Sequence, residues 1–575
     1  MPVGAITSQR WREIAPVTFT PENRPVVGYD GVVASTHALG SAAGAEIMAA
    51  GGNAIDAAVA TLFALSVVEP MKMGIYGAGF MNIRLADGGR LAIDNYSQAP
   101  VAATMHMFTP VSDAWPNYMR ARGDLNQTGV LASGVPGALK AWCELHSEFG
   151  NLSLGEVMAP AISHAETGFR ATEHYCKFVE DNSDALRGFS ASASIFMPRG
   201  AVPTPGDLVV QRDLASTLKR IALDGPGYLY GGELGHEIVR YSQSNGGIIT
   251  MADLTGYRVR RTDPVTGTYR GYTLTGPTPS SAGGLHLIEF LNVMQLRDIG
   301  AMGFGRSATI HLMAEAMQLV FADRNRYLTD PEFAEIPFDR LLSDFHAREL
   351  MSEILPNTVM PELPTPKLAE SDSTSHVTTA DRDGNIVAAT QTINHIFGSK
   401  VVVPGTGVLL DNTMANFDPH PYQANSVEPL KRVASSMAPV IAYKGSRPAF
   451  ALGLPGGIRI WTSVAQAIMN IVDHGMTAQE AVEAPRMFTQ GQELELEQEF
   501  GSETTDSLRD IGHDVTMVNN VAGGMNIIEF GDDSSLAGSS CWRSDGGAVA
   551  VSRGAARDGV GLTVFEPSNG SASTD

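Results

Sequence analysis

The stretch Ser373-Thr374-Ser375-His376-Val377-Thr378-Thr379-Ala380-Asp381-Arg382-Asp383-Gly384-Asn385, continued by Ile386-Val387-Ala388-Ala389-Thr390-Gln391-Thr392-Ile393-Asn394, decides how this chain is read. Asp383-Gly384 is a hairpin turn signal between two β-rich runs. Residue 383 lies midway between Thr374 and Thr392, so a hairpin centred there sets these two threonines opposite each other. Side chains alternate along a strand, which puts Thr390, Thr392 and Asn394 on one face of the second run. Thr374 then sits at the start of the first strand, with a threonine hydroxyl and an asparagine amide nearby. A register shift of one residue would separate them. From the hairpin alone, three polar residues on a solvated face is the simpler reading.

Upstream, residues 355–373 read LPNTVMPELPTPKLAESDS, with four prolines and almost no apolar periodicity. This composition predicts an exposed linker. The chain divides there. Before it the pattern is mainly helical, and after it mainly strands, but strands from both sides can share one sheet. Residues 32–34 predict a short buried strand. A helix over 41–50 is stopped by Gly51-Gly52, and Asn53 is a good N-cap for a second over 54–68. The glycine-rich loop 74–79 leads into a hairpin of strands 80–85 and 91–95. Further helices are predicted over 138–149, 214–223, 236–244, 286–297 and 308–323, with strand-like alternation over 257–275. Beyond the linker, strands are expected at 401–403, 439–443 and 449–454, a helix over 460–474, and a polar tail over 566–575.

At about 150 residues per domain, 575 residues hold material for about three to four domains. An apolar share of 43% and a charged share of 18% exclude a disordered chain. The net charge of −22 argues against nucleic acid or an anionic membrane as partner. Three cysteines cannot form a disulfide framework and lack metal-ligand spacing. The 60 glycines and 32 prolines are scattered, which points to many tight turns in a compact protein. Residues 1–16 show no secretory signal, and the apolar run 54–68 carries Asp56 and is too short to span a bilayer. The expectation is a soluble cytoplasmic protein.

Motifs for a GxSxG elbow, a zinc protease helix, a phosphate-binding Walker loop and an EF-hand are absent. The loop 74–79 does not spell GxGxxG, and close packing of backbone explains it more simply. The histidines are scattered, and each alone reads as structural.

Resemblance adds what spacing does not. Gly51-Gly52-Asn53-Ala54-Ile55-Asp56-Ala57-Ala58, Val135-Pro136-Gly137, Pro279-Ser280-Ser281-Ala282-Gly283-Gly284 and Asp323-Arg324 with Asp330-Pro331 form an ordered series of blocks. Thr374-Ser375-His376 with Asp381-Arg382-Asp383-Gly384-Asn385, then Thr392 and Asn394, is the most specific. Ser435-Ser436-Met437-Ala438-Pro439 and Pro455-Gly456-Gly457-Ile458-Arg459 complete the series. On these blocks the chain resembles the gamma-glutamyltransferase family of N-terminal nucleophile hydrolases, from about residue 31 to 565.

The resemblance implies an α+β fold, a four-layer αββα sandwich. It implies a proenzyme that cuts itself between Ser373 and Thr374. A large chain of residues 1–373 and a small chain of 374–575 would then stay together as a heterodimer. The cut frees an α-amino group on Thr374, with a reference pKa of about 7.7–8.0, which can serve as general base for its own hydroxyl. Thr392 would hydrogen-bond the nucleophile and Asn394 would help hold the acyl group. Gly456 and Gly457 would bind the oxyanion through backbone N–H groups. Ser435 and Ser436 would line the acyl pocket, unless they are simply turn residues before a strand. No cofactor and no metal is required.

The sequence departs from the family where the zwitterionic γ-glutamyl head is held. Tyr96 stands in the place of an arginine, Thr413 in that of a glutamine and Asn416 in that of an aspartate. Tyr76 and Ala78 replace glycines in the loop, and a short segment between Phe417 and Ser435 implies a reduced lid. Each lost charge-assisted bond is worth about 1.5–3 kcal/mol. The expectation is an amidohydrolase or acylase acting on a small-molecule amide whose acyl group is not γ-glutamyl. Relatives with altered heads include cephalosporin (glutaryl) acylases and oxamate amidohydrolases. Lys72, Arg432 or Arg459 could replace the arginine. The alternatives are a genuine gamma-glutamyltransferase or glutathione hydrolase with other head contacts, and a non-catalytic proprotein.

Overall fold

The computed structural model describes residues 10–363, 373–491 and 493–552. The polar tail expected at 566–575 and residues 364–372 of the linker lie outside these residues.

Fourteen strands build two sheets. In chain order they are β1 (Val26–Gly28), β2 (Gly31–Ser35), β3 (Ala78–Arg84), β4 (Arg90–Asp94), β5 (Arg260–Thr262), β6 (Val265–Tyr269) and β7 (Tyr272–Gly276). Then follow β8 (Ser375–Asp381), β9 (Ile386–Thr392), β10 (Val440–Lys444), β11 (Arg447–Gly453), β12 (Asn526–Phe530), β13 (Leu536–Ser540) and β14 (Gly547–Val551). One sheet runs β14-β2-β8-β9-β3-β4-β5 and the other β1-β13-β12-β11-β10-β7-β6. Each mixes strands from both sides of residue 373, so the two parts of the chain cannot be separate domains.

The expected hairpin register holds. Ser375 pairs with Gln391 and Ala380 with Ile386. Alternation along β8 and β9 then feeds two different cores. Val377, Val387 and Ala389 pack toward the helices Ala38–Ala49 and Ala54–Val68. Ala380, Ile386 and Ala388 face the second sheet and meet Ile441, Ala451 and Ile528. A third core joins the second sheet to the helices Ala282–Met294, Ser307–Tyr327 and Ile460–Val472. Helix, sheet, sheet and helix make the four layers of an αββα sandwich.

The helix Ala54–Val68 is buried along its whole length, and Asn53 caps it with a reciprocal capping box to Asp56. Such a cap is worth about 1 kcal/mol. Residues 355–363 carry neither helix nor strand and are largely exposed, as expected. The linker's last residue differs: Ser373 and Thr374 are buried at 1% and 2% exposure. Residues 401–403 do not form a strand; only an isolated bridge joins Val402 to Leu409.

Candidate active site

Thr374 and Thr392 meet at the open end of the hairpin. The peptide bond between Ser373 and Thr374 is intact, and its carbonyl oxygen accepts two hydroxyl hydrogen bonds. Thr374 Oγ1 lies 2.5 Å from it and Thr392 Oγ1 2.8 Å. Both hydroxyls are buried, so the solvated-face reading of these threonines is wrong. β8 and β9 are central strands covered on both sides, and the polar ends are sealed inside the sandwich.

Asn394 follows Thr392 with a positive φ of 75°. Its N–H donates to Thr392 Oγ1 at 2.8 Å, and its side-chain amide donates to the Asn412 carbonyl at 2.9 Å. Thr390 is the next outward residue on the same face. Its hydroxyl lies 2.8 Å from His376 Nδ1, and burial pushes that imidazole down to about 3, so it stays neutral. The glycine loop packs directly on β9. A Cβ on Gly77 would lie 2.4 Å from the Thr392 carbonyl oxygen, and one on Gly79 2.3 Å from that of Thr390. Close backbone packing is therefore the loop's role, and Ala78 pairs with Thr392 in the sheet.

Beneath the hairpin, Glu69 accepts hydroxyl hydrogen bonds from Thr36 at 2.5 Å and Ser375 at 2.7 Å, and Lys72 Nζ lies 2.7 Å away. Burial alone would raise the Glu69 carboxyl. The Lys72 ammonium, His37 and the donated hydrogen bonds outweigh it and hold it at about 2. The Lys72 carbonyl accepts from Ile393 N–H at 3.0 Å. Lys72 also lines a cavity of about 350 Å³ with Pro455, Arg459, Glu495 and Gly523. Pro455, next to the two glycines in sequence, thus lines the same cavity as Lys72. Gly456 and Gly457 both have positive φ, 145° and 54°, and lead through a short 3-10 turn into the helix Ile460–Val472.

The head positions come together. Asn416 Nδ2 donates to Tyr96 Oη at 3.2 Å, and the Tyr96 ring stacks on Phe80 with centroids 5.4 Å apart. Tyr96 and Asn416 therefore form one buried, neutral pair. Thr413, three residues before Asn416, donates to Asp411 at 3.0 Å. Asp411 also accepts from Ser97 at 2.6 Å and from Gly134 N–H at 2.8 Å. Burial pushes its carboxyl up to about 6 in spite of these donors.

The three cations that could replace the missing arginine are all paired. Arg432 is held by Asp94 at 2.9 Å, and its N–H donates to Asp330 at 2.8 Å. Arg459 grips Glu495 at 2.7 and 2.5 Å, and Lys72 holds Glu69. Of these, Lys72 and Arg459 face the cavity, while Arg432 does not line it. Ser435 and Ser436 are buried, but neither lines the cavity. Ser435 bridges Ser281 in the backbone, and the Ser436 hydroxyl accepts from Arg324 at 3.1 Å. Glu69 and Asp411 escape the sequence reading. In each case an acid in an otherwise apolar stretch is the available signal.

A four-layer sandwich with a threonine hydroxyl against its own preceding carbonyl, at the end of a central strand, defines the class of N-terminal nucleophile hydrolases. Residues 40–551 match the family Gamma-glutamyltranspeptidase. The chain is 47% identical over 546 residues to the acylase ACY 1 proenzyme of Pseudomonas sp. strain V22, covering 95% of this chain and 98% of that protein. It is 36% identical over 549 residues to the glutathione hydrolase proenzyme of Escherichia coli strain K12, covering 92% and 93%. The crystal structure of cephalosporin acylase from Bacillus halodurans superposes with a TM-score of 0.84 at 31% identity, covering 93% of this chain and 98% of that one. The chain belongs to the gamma-glutamyltranspeptidase family, and is an enzyme of the amide-cleaving, acyl-transferring kind that the family comprises.

Proposed function

We propose that this chain is a self-processing acylase whose nucleophile is Thr374. The observation that carries the reading is the pair of hydroxyls on the Ser373 carbonyl, at 2.5 and 2.8 Å. The Thr392 hydroxyl polarises that carbonyl, and Thr374 Oγ1 attacks its carbon. The Ser373–Thr374 C–N bond breaks as the acyl group moves to oxygen, and the hydroxyl proton passes to the nitrogen, which leaves as an amine. Water then hydrolyses the ester, releasing residues 1–373 with a carboxylate end. The small chain, 374–575, keeps a free α-amine and a free hydroxyl on Thr374, and both chains remain in one sandwich as a heterodimer.

In the mature enzyme the α-amine takes the Thr374 proton as the hydroxyl attacks a substrate amide. Thr392 then hydrogen-bonds the nucleophile, and Asn394 helps hold the acyl group. Backbone N–H groups of Gly456 and Gly457 receive the oxyanion. The leaving amine departs protonated, and water deacylates the enzyme.

The Tyr96–Asn416 pair supports an acyl group without an α-ammonium, because position 416 offers an amide in place of a carboxylate. The likeness to acylase ACY 1, stronger than that to glutathione hydrolase, supports the same choice. A glutaryl-type amide is the substrate class that fits best. A denaturing gel tests processing: two bands are expected, and one uncut band of purified protein speaks against the reading. Turnover of glutaryl-p-nitroanilide against γ-glutamyl-p-nitroanilide tests the head. Faster γ-glutamyl turnover would overturn the acyl assignment while leaving Thr374 in place.

A further inference from the structure

A cluster unconnected to acyl transfer sits where the linker begins. His311 and Glu315 lie four residues apart on one face of the helix Ser307–Tyr327. His513 follows the helix Gly501–Ile511, where Gly512 takes a left-handed turn and His513 N–H donates back to Leu508 O at 3.0 Å. That cap fixes where the third side chain emerges. One ligand atom from each of the three lies within 4.8 Å of the others.

The orientation of His311 is the telling feature. Its Nε2 lies 2.7 Å from the Leu355 carbonyl oxygen, which can only accept, so Nε2 carries the proton. Its Nδ1 is therefore left with a lone pair, and it points at His513 Nε2, 2.7 Å away. A histidine whose far nitrogen donates to a backbone carbonyl is how proteins orient imidazoles for metals. Glu315 is likewise oriented, with Oε2 accepting from Met360 N–H at 2.7 Å. Glu315 and His513 line a cavity of about 450 Å³ with Gln318, Met360, Thr489 and Asp514, which leaves room for a water as a further ligand.

A second cluster shows what a different answer looks like. His346 lies 2.8 Å from Asp323 and 3.2 Å from Glu289. Its hydrogen bond to Glu289 outweighs burial and lifts the imidazole to about 9. A proton already balances those carboxylates. At His311 two imidazoles and one carboxylate converge, and a single cation can take the place of the proton that joins His513 Nε2 to His311 Nδ1.

We propose that His311 Nδ1, His513 Nε2 and a Glu315 carboxylate oxygen bind one first-row divalent cation, zinc fitting best. Two imidazoles, one carboxylate and an open position form a donor set that zinc favours. His513 moves its proton to Nδ1 when Nε2 takes the metal. The same helix face holds the chain at Leu355, Met360 and, through Gln318, Pro361 at 2.8 Å. The cation would thus fasten the segment that runs toward the scissile bond, and its role is structural.

The test uses full-length protein stripped with a chelator, dialysed and titrated with ZnCl2 by calorimetry, then with CoCl2 by visible absorption. One equivalent of zinc should bind with about micromolar or tighter affinity. Cobalt should give the d–d bands of a low-coordinate site. His513→Ala and the isosteric Glu315→Gln should each weaken zinc by about 100-fold or more, while replacing the exposed His236 by alanine changes nothing. Two variants guard against a misfolded one, and melting curves without metal identify it. The absence of saturable binding to the parent protein, or unchanged affinity in both variants, overturns the site. Neither outcome bears on Thr374, which the gel tests separately.

Discussion

The reacting end of the site and its acyl-head end are held in different ways. Thr374 and Thr392 face each other from neighbouring strands of one hairpin, and the sheet ladder fixes their distance. Tyr96 and Asn416 meet from segments 320 positions apart, each outside the regular strands. The reacting end tolerates no change of register, because a slip of one residue turns both hydroxyls to the other core. The head end can change its charges without touching the ladder. A fold built this way can keep one way of breaking amides while varying what it recognises, and on the proposed reading the neutral Tyr96–Asn416 pair is such a variation.

The sharpest way to break the comparison is at Thr374. Thr374→Ala removes the attacking oxygen, so both self-cleavage and activity should vanish; any cleavage at this bond seen by mass spectrometry would remove Thr374 from its role. Thr392→Ala comes next. It deletes one of two hydroxyl donors on the Ser373 carbonyl, and the loss of such a donor slows reaction by about 10²–10³. Processing followed on gels over time should show that delay, and an unchanged rate would mean the 2.8 Å contact is idle.

At the head end the expected effects are smaller and concern choice more than rate. Asn416→Asp restores an anion for an α-ammonium. The γ-glutamyl to glutaryl ratio of kcat/KM should rise by about tenfold or more, the value of one charge-assisted bond. Self-cleavage should keep its rate, because Asn416 touches Tyr96 and not the scissile carbonyl. A fall in processing instead would show that the two ends are coupled.

Legibility in the sequence follows the same division. The hairpin centre at residue 383 and the helix at 54–68 emerge from local signals, a turn dipeptide and a cap, and both match the structure. The strands β12, β13 and β14 leave no such trace. Leu536–Ser540 reads LAGSS, and its residues are buried on both faces between layers, so polar and apolar residues do not alternate. The opposition of Thr374 and Thr392 was readable from spacing; their burial was not, since the second sheet that covers them comes from distant segments. The contact between Tyr96 and Asn416 has no local signature at all. Resemblance marked both positions as odd, but only the fold shows that they are one feature.

Thr413 gives the smallest effect on activity and decides to which end the 411–416 turn belongs. The resemblance implies a head-binding role for it, yet its hydroxyl donates to Asp411 at 3.0 Å. Asp411 is buried, with its carboxyl raised from 3.8 to about 6. A carboxyl raised on folding binds its proton more tightly in the folded state, so its contribution to stability falls as pH climbs from about 4 through 6. Thr413→Val removes one donor to the charged form and raises that pKa further. The variant should therefore lose about 1.5–3 kcal/mol at pH 8, where Asp411 is ionised, and less at pH 5, where it is mostly protonated. Thermal melts at the two pH values measure the difference. If Thr413 serves the framework, kcat/KM for the preferred substrate should stay within about threefold at pH 8. A large loss of activity with unchanged melting would place Thr413 against the acyl chain and extend the neutral head pair to a third residue.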